Sequence, residues 1–205
     1  SGALINQKTD KKFETIIIED NAAPSVLIAA TELQKILKKA CEANLKIKKE
    51  SEATGKGANI YLGNASGLDF SKLKDDGFKI VNNAKGLFIG GRDHKGPPVV
   101  GFRNPWRLNE SWNSRLGIGN FGETGTLYGV YYFLEKFCSI RFYMPGKLGT
   151  VIPEKKNIYI PECDLRREPD FSYRNAYLCS MPGQGELSQC LDHRRTDRQY
   201  RLSHR

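Results

Sequence analysis

The residues with chemical potential crowd into one stretch, "RDHKGPPVVGFRNPWRLNESWNSRLGIGNFGET", running from Arg92 to Thr124. It carries the acids Asp93, Glu110 and Glu123, and His94 beside the first of them. A carboxyl pair held roughly 5–10 Å apart can cleave an acetal by acid–base chemistry, and Asp93-His94 could exchange a proton between neighbours. No spacing ties these acids together, so their plainer reading is solvated loop acids. The same stretch contains Trp106 and Trp112, the 2 tryptophans of the chain, with Phe102, Arg103, Arg107, Asn109 and Arg115 around them. Indoles stack on the apolar C–H faces of sugars, and Asn and Arg donate to hydroxyls. The competing role for both tryptophans is to anchor a long loop onto its support. Trp106, Trp112, Arg103, Arg107 and Asn109 are therefore the candidate carbohydrate-binding residues, and no residue is singled out as catalytic.

Other chemistries lack their residues. There is no G-x-S-x-G nucleophile elbow, "ATGKGAN" lacks the P-loop spacing, and "GGRDHKG" is not a G-x-G-x-x-G turn. The 5 cysteines, Cys41, Cys138, Cys163, Cys179 and Cys190, form no C-x-x-C pair, and an odd count does not make a complete disulfide framework. Buried or free thiols are expected, with no metal and no cofactor. His193 and His204 fall in a tail without periodicity.

A formal net charge of +9 raises the question of a polyanion. Most lysines of the first half, however, lie among glutamates on predicted helix faces, as in "ELQKILKKACEANLKIKKESE". Arginines begin at Arg92 and crowd the end, without the interleaved aromatics of a single-strand binder. No nucleic-acid partner is expected; any such binding would fall steeply with salt. No apolar run approaches the roughly 18–20 residues of a membrane span. The amino end turns polar from Asn6, so it does not read as a signal peptide, and Ser1-Gly2 reads as a cloning remnant or a processed start.

The elements that must position the stretch can be read from periodicity. "KFETIIIED" predicts a strand over Glu14 to Glu19. A helix follows, capped by Asp20 or Asn21 with Pro24 in its first turn. Its apolar stripe is Leu27, Ala30, Leu33, Leu37 and Ala40, its outward face Lys35, Lys38 and Lys39, and Asn44 ends it. "LKIKKE" predicts a short exposed strand and "NIYLGN" a buried one; "GFKIVNN" and "GLFIGGR" predict a hairpin turning through Asn and Gly at positive φ. "GTLYGVYYFLEKF" predicts a second helix, capped by Glu123 or Thr124, with Leu127, Val130, Tyr131, Leu134 and Phe137 inward. Glycine inside a helix costs about 1 kcal/mol relative to alanine, so Gly125 and Gly129 predict a close approach to the sheet. "SIRFYMPG" and "GTVIPEKKNIYIPE" predict short strands, and "CDLRREPDFSYR" a polar connector.

In this order "APSVLIAATELQKILKKA", "NIYLGN", "DDGFKIVNNAKGLFIGG", "GTLYGVYYFLEKF", "IRFYMPGKLGTVIPEKKNIYIP" and "REPDFSYR" resemble the amino-terminal domain of bacterial glycoside hydrolases. The types it is similar to are the α-glucuronidase amino-terminal domain and the chitobiase-type domain of β-N-acetylhexosaminidases. The resemblance spans Phe13 to Arg174. Its most specific pieces are Gly90-Gly91, Gly125-Thr126-Leu127-Tyr128-Gly129, Phe133-Leu134-Glu135 and Pro169-Asp170-Phe171 with Tyr173-Arg174.

The resemblance implies an α+β fold (an α/β two-layer arrangement) of the zincin-like, chitobiase domain-2-like kind. That is a mixed β-sheet with two main helices on one face, docked beside a catalytic (β/α)8 barrel that carries the catalytic carboxylates. It also implies a bacterial polysaccharide degrader, with the protein in the periplasm, at the cell surface or secreted. Residues 13–163 are expected to form the accessory domain, and 164–205 a connector followed by the start of a barrel or an irregular tail. The segment from Asp93 to Glu123 departs from the family, which runs from the Gly-Gly strand into the helix through a few residues.

Overall fold

The computed structural model describes residues 2–53, 57–96, 123–143 and 147–170. The elements are β1 (Ala3–Asn6), β2 (Lys11–Ile18), α1 (Pro24–Cys41), β3 (Lys46–Lys49), β4 (Ala58–Leu62), β5 (Phe78–Asn83), β6 (Gly86–Gly91) and α2 (Gly125–Cys138). After them come β7 (Arg141–Phe142), β8 (Thr150–Val151), β9 (Asn157–Ile160) and β10 (Cys163–Arg167). An 8-stranded mixed sheet runs β10-β5-β6-β4-β2-β1-β9, with β3 also on β2, while β7 and β8 make a separate small pair. Strands β2, β4 and β6 are mutually parallel, and β5–β6 is the antiparallel hairpin. This is the expected α+β class.

Alternation decides the layers, because successive strand residues point to opposite faces. Ile16, Ile60, Leu62, Ile80, Leu87 and Ile89 are buried on the side where the helices pack. In α1 the inward stripe is Val26, Ala29, Ala30, Leu33, Ile36, Leu37 and Ala40. Leu27, expected inside, is instead 48% exposed, being turned about 100° from Val26. Neither Asp20 nor Asn21 caps α1; Ala23 precedes it in extended conformation and Pro24 opens it. The helix ends on Glu42 in the left-handed region (φ 53°), before Asn44 is reached. In the hairpin turn the positive φ belongs to Gly86 alone, not to the asparagines.

Helix α2 lies tight on the sheet, as its glycines predicted. A Cβ on Gly129 would stand 2.9 Å from Ile89 Cγ2 and 3.3 Å from Phe78 Cβ. One on Gly125 would run into the Gly77 carbonyl and lie 2.8 Å from the Arg92 nitrogen, and one on Gly91 would meet the Gly125 backbone. Backbone cannot step aside as a side-chain tip can. Gly125→Ala is therefore expected to lower unfolding stability by about 2–3 kcal/mol, and Gly129→Ala, which also gains helix propensity, by less than half of that. Urea unfolding of both variants checks the order; equal losses would contradict it.

Two strands lie where none was expected. Ala3–Asn6 pairs antiparallel with β2 and parallel with β9, and Cys163–Arg167, read as connector, pairs with β5 along its length. The sheet thus takes in residues on both sides of the 13–163 span. Strands β9 and β10 stand at opposite ends of the sheet order yet are joined through only Pro161 and Glu162. The sheet must therefore curl until its ends nearly meet. Buried asparagines hold that seam. Asn82 Nδ2 donates to the carbonyls of Ile160 (3.0 Å) and Pro161 (2.9 Å). Asn6 Nδ2 donates to Asn82 Oδ1 (3.2 Å) and to the Asn83 carbonyl (2.7 Å). Satisfying every polar atom is what makes such a buried pair tolerable.

Candidate functional site at the carboxyl edge

The parallel strands β2, β4 and β6 deliver Glu19, Gly63-Asn64 and Arg92-Asp93 to one edge of the sheet. Both helices begin at this edge, Ser25 in the first turn of α1 and Thr126 in the first turn of α2. In open α/β sheets ligands bind outside the carboxyl ends of parallel strands. The segment carrying the tryptophans also departs from here, after Gly96, and comes back at Glu123.

Its two ends are joined as a short antiparallel stem. Asp93 bridges Thr124, the His94 nitrogen donates to the Glu123 carbonyl (2.9 Å), and the Gly125 nitrogen donates to the Arg92 carbonyl (2.8 Å). Arg92 ties the stem to the loop before β5. It pairs with Glu123 across the stem, with Asp75 at 3.2 Å, and donates to the Leu73 carbonyl at 3.2 Å.

The amino terminus of α2 needs acceptors for its unpaired N–H groups. Neither Glu123 nor Thr124 supplies them through its side chain, contrary to the capping expectation. Acids from elsewhere do. Asp93 Oδ1 accepts from the Thr126 nitrogen (3.2 Å) and from Ser25 Oγ (2.8 Å), and Asp93 Oδ2 accepts from the Thr126 hydroxyl. Asp76 Oδ1 accepts from the Thr124 nitrogen (3.0 Å). Thr126 Oγ1 in turn accepts from the Gly91 nitrogen (3.1 Å), so a partly buried chain of hydrogen bonds runs from β6 through α2 to α1. The positive end of the helix dipole favours carboxylates at this place.

Burial nevertheless dominates at Asp93. It pushes the carboxyl up to about 6; the hydrogen bonds from Thr126 and Ser25 pull against it, and the charge of Glu19 adds to the rise. Glu19 is itself held by Lys95 Nζ (2.6 Å) and Asn64 Nδ2 (3.2 Å). Glu123 is also pushed above the usual carboxylate range, chiefly by burial, with Arg92 opposing and Asp75 and Asp76 reinforcing. A raised pKa in a cleft is a recognised mark of acid–base function, although structural networks produce it as well.

Of the acids singled out in the sequence, Asp93 and Glu123 are thus brought to the same stem, and both are engaged by structural partners. Glu110, with Trp106, Trp112, Arg103, Arg107 and Asn109, lies outside the described residues, as do His193 and His204. Sequence reasoning missed Ser25, Asp76 and Thr126 as parts of the site. A hydroxyl one residue inside the glycine-flanked start of α2 was the available signal. Among the described residues no group of three or more His, Cys, Asp and Glu is placed to hold a metal ion, and no helix is long and apolar enough to cross a membrane.

No family model matches the sequence, and no curated protein matches it. Solved structures similar to it include a family GH115 4-O-methyl-α-glucuronidase with specificity for decorated arabinogalactans, at 17% identity and TM-score 0.41, over 78% of this chain and 18% of that one. Another is a GH138 enzyme targeting pectin rhamnogalacturonan II, at 14% identity and TM-score 0.35, over 61% of this chain and 13% of the other. A mutant Streptomyces plicatus β-hexosaminidase in complex with its product follows at 20% identity and TM-score 0.29, over 44% of this chain and 15% of that one. This chain spans less than a fifth of the length of each.

Proposed function

We propose that this chain is a non-catalytic amino-terminal accessory domain of a bacterial glycoside hydrolase, supporting a catalytic barrel that follows it. The observation that carries the reading is how the motifs of the resemblance are used. Gly91, Gly125 and Gly129 serve backbone contact between α2 and the sheet, and Asp93 with Thr126 serves the cap of α2. The edge where an open sheet would hold a ligand is filled by groups that hold the fold. The parent protein acts on polysaccharide and resides in the periplasm or at the cell surface, or is secreted.

The test compares hydrolysis of aryl glycosides by this chain and by the native polypeptide, whose mass is measured first. The expected result is a native species far heavier than 23.1 kDa that hydrolyses, and no turnover by this chain. Turnover by this chain that is lost in Glu123→Gln would overturn the reading.

A second reading is favoured by the stem, which roots the tryptophan segment at the carboxyl edge. On it the domain binds glycan through Trp106 and Trp112, alone or as an extension of the barrel's cleft. Isothermal titration with soluble polysaccharide is then expected to show binding that weakens by roughly two- to tenfold in Trp106→Ala or Trp112→Ala, since each lost stacking contact is worth about 0.5–1.5 kcal/mol. Unchanged affinity in both variants would remove this role.

A further inference from the structure

Both helices end on a cysteine. Cys41 closes α1 and Cys138 closes α2, and each is buried, 1% and 0% exposed. The helices follow parallel strands of one sheet face and pack against each other, which brings their carboxyl ends side by side. A single residue spans those ends: the Lys155 nitrogen donates to the Ala40 carbonyl (2.7 Å) and Lys155 Nζ donates to Ser139 Oγ (3.0 Å). Ala40 and Ser139 are the chain neighbours of Cys41 and Cys138.

We propose that Cys41 and Cys138 form an oxidisable dithiol pair whose disulfide ties the carboxyl ends of the two helices together. Cys41 donates to the Leu37 carbonyl at 3.4 Å, a weak bond that is readily given up. Burial pushes the Cys138 thiol well above the usual range, and Cys41 is near enough to add to that shift. Burial raises the Cys41 thiol as well, so both are poor nucleophiles in the folded protein, and the bond forms fastest while the chain folds. With glutathione disulfide as oxidant, the Cys41 thiolate attacks one sulfur and releases one glutathione thiolate. The Cys138 thiolate then displaces the second from the mixed disulfide. The two protons end on the two glutathione thiols, and the protein gains one S–S bond.

The experiment refolds the full chain from urea in a glutathione redox buffer, both as wild type and as Cys163→Ser/Cys179→Ser/Cys190→Ser. It then alkylates free thiols and maps peptides without reduction. The expected product is about 2 Da lighter than the dithiol, contains the Cys41–Cys138 linked peptide, and melts roughly 5 °C or more above the reduced form, because the bond closes a long loop. The folded protein treated with the same buffer gives the same link more slowly. Two results would overturn the proposal. One is both thiols remaining open to alkylation, or carrying glutathione, after refolding. The other is a linked species that melts lower than its reduced form, which would mean the fold does not accept the bond.

Discussion

Replacing Asp93 by asparagine is expected to make the protein more stable above pH 7 and slightly less stable near pH 4. The folded carboxyl titrates at about 6 against an ordinary 3.8, so the folded state binds that proton more tightly than the unfolded chain does. For a pKa raised on folding, the contribution to stability is fully present below 3.8 and is lost as pH rises through about 6. A shift of this size corresponds to about 3 kcal/mol across that window. Asparagine keeps the acceptor for Ser25 Oγ and the Thr126 nitrogen but cannot accept from the Thr126 hydroxyl, a loss of about 1 kcal/mol at every pH. The difference between wild type and Asp93→Asn should therefore cross zero at about pH 4.5 and reach about 2 kcal/mol in favour of the substituted protein at pH 8. Urea titrations at several pH values measure it, and titrating groups that are not coupled to Asp93 cancel in the subtraction, Glu19 being the coupled one. A constant offset at all pH values would mean that the buried charge is not what governs Asp93.

The larger loss is expected at Asn82, which is 0% exposed and donates both amide hydrogens to carbonyls at the seam. Asn82→Asp is isosteric yet turns two donors into lone pairs facing the oxygens of Ile160 and Pro161. The new acid must either carry a buried charge or take up a proton, and it can then make only one of the two bonds. A destabilisation of about 4 kcal/mol follows from one lost donor, one repulsive contact and the desolvation of the carboxyl. Asn82→Leu should cost less, about 2–3 kcal/mol, because it introduces no charge and the Ile160 carbonyl keeps its bond from the Gln7 nitrogen. The ranking is the test: an Asp variant as stable as the Leu variant would show that hydrogen bonding at the seam does not determine its strength.

Features that depend on neighbours in the chain were readable. The helices announce themselves by apolar residues three and four apart, the hairpin by two apolar strands around a glycine, and the close approach of α2 by Gly125 and Gly129. The strands that were missed depend on distant partners. Ala3–Asn6 is too short to show alternation and is a strand because Asn157–Ile160 and Lys11 with Lys12 lie beside it. Cys163–Arg167 is charged because it is an edge strand, and charge on an edge reads as connector. The caps failed for the same reason: α2 takes its acceptors from Asp93 and Asp76, 33 and 48 residues away from their partners. Of the candidate site, the sequence pointed to Asp93 and Glu123 as acids in one stretch but not to the stem that joins them. The tryptophans lie outside the described residues.

The pairing of β1 with β9 has a consequence for how the chain reaches this shape. Ala3 must find Asn157, and Asn6 must find Asn82, before the curl is complete. During synthesis the segment from β2 through β6 can assemble early, since β2, α1, β4 and the hairpin are near neighbours in sequence. The first strand has to wait, its outer edge unpaired, until some 150 further residues have left the ribosome. At roughly 5–20 residues per second that is an interval of order ten seconds with an open strand edge, the condition under which chains aggregate. Contacts of such long separation also slow folding. The seam is thus expected to be the last part to form and the first to open.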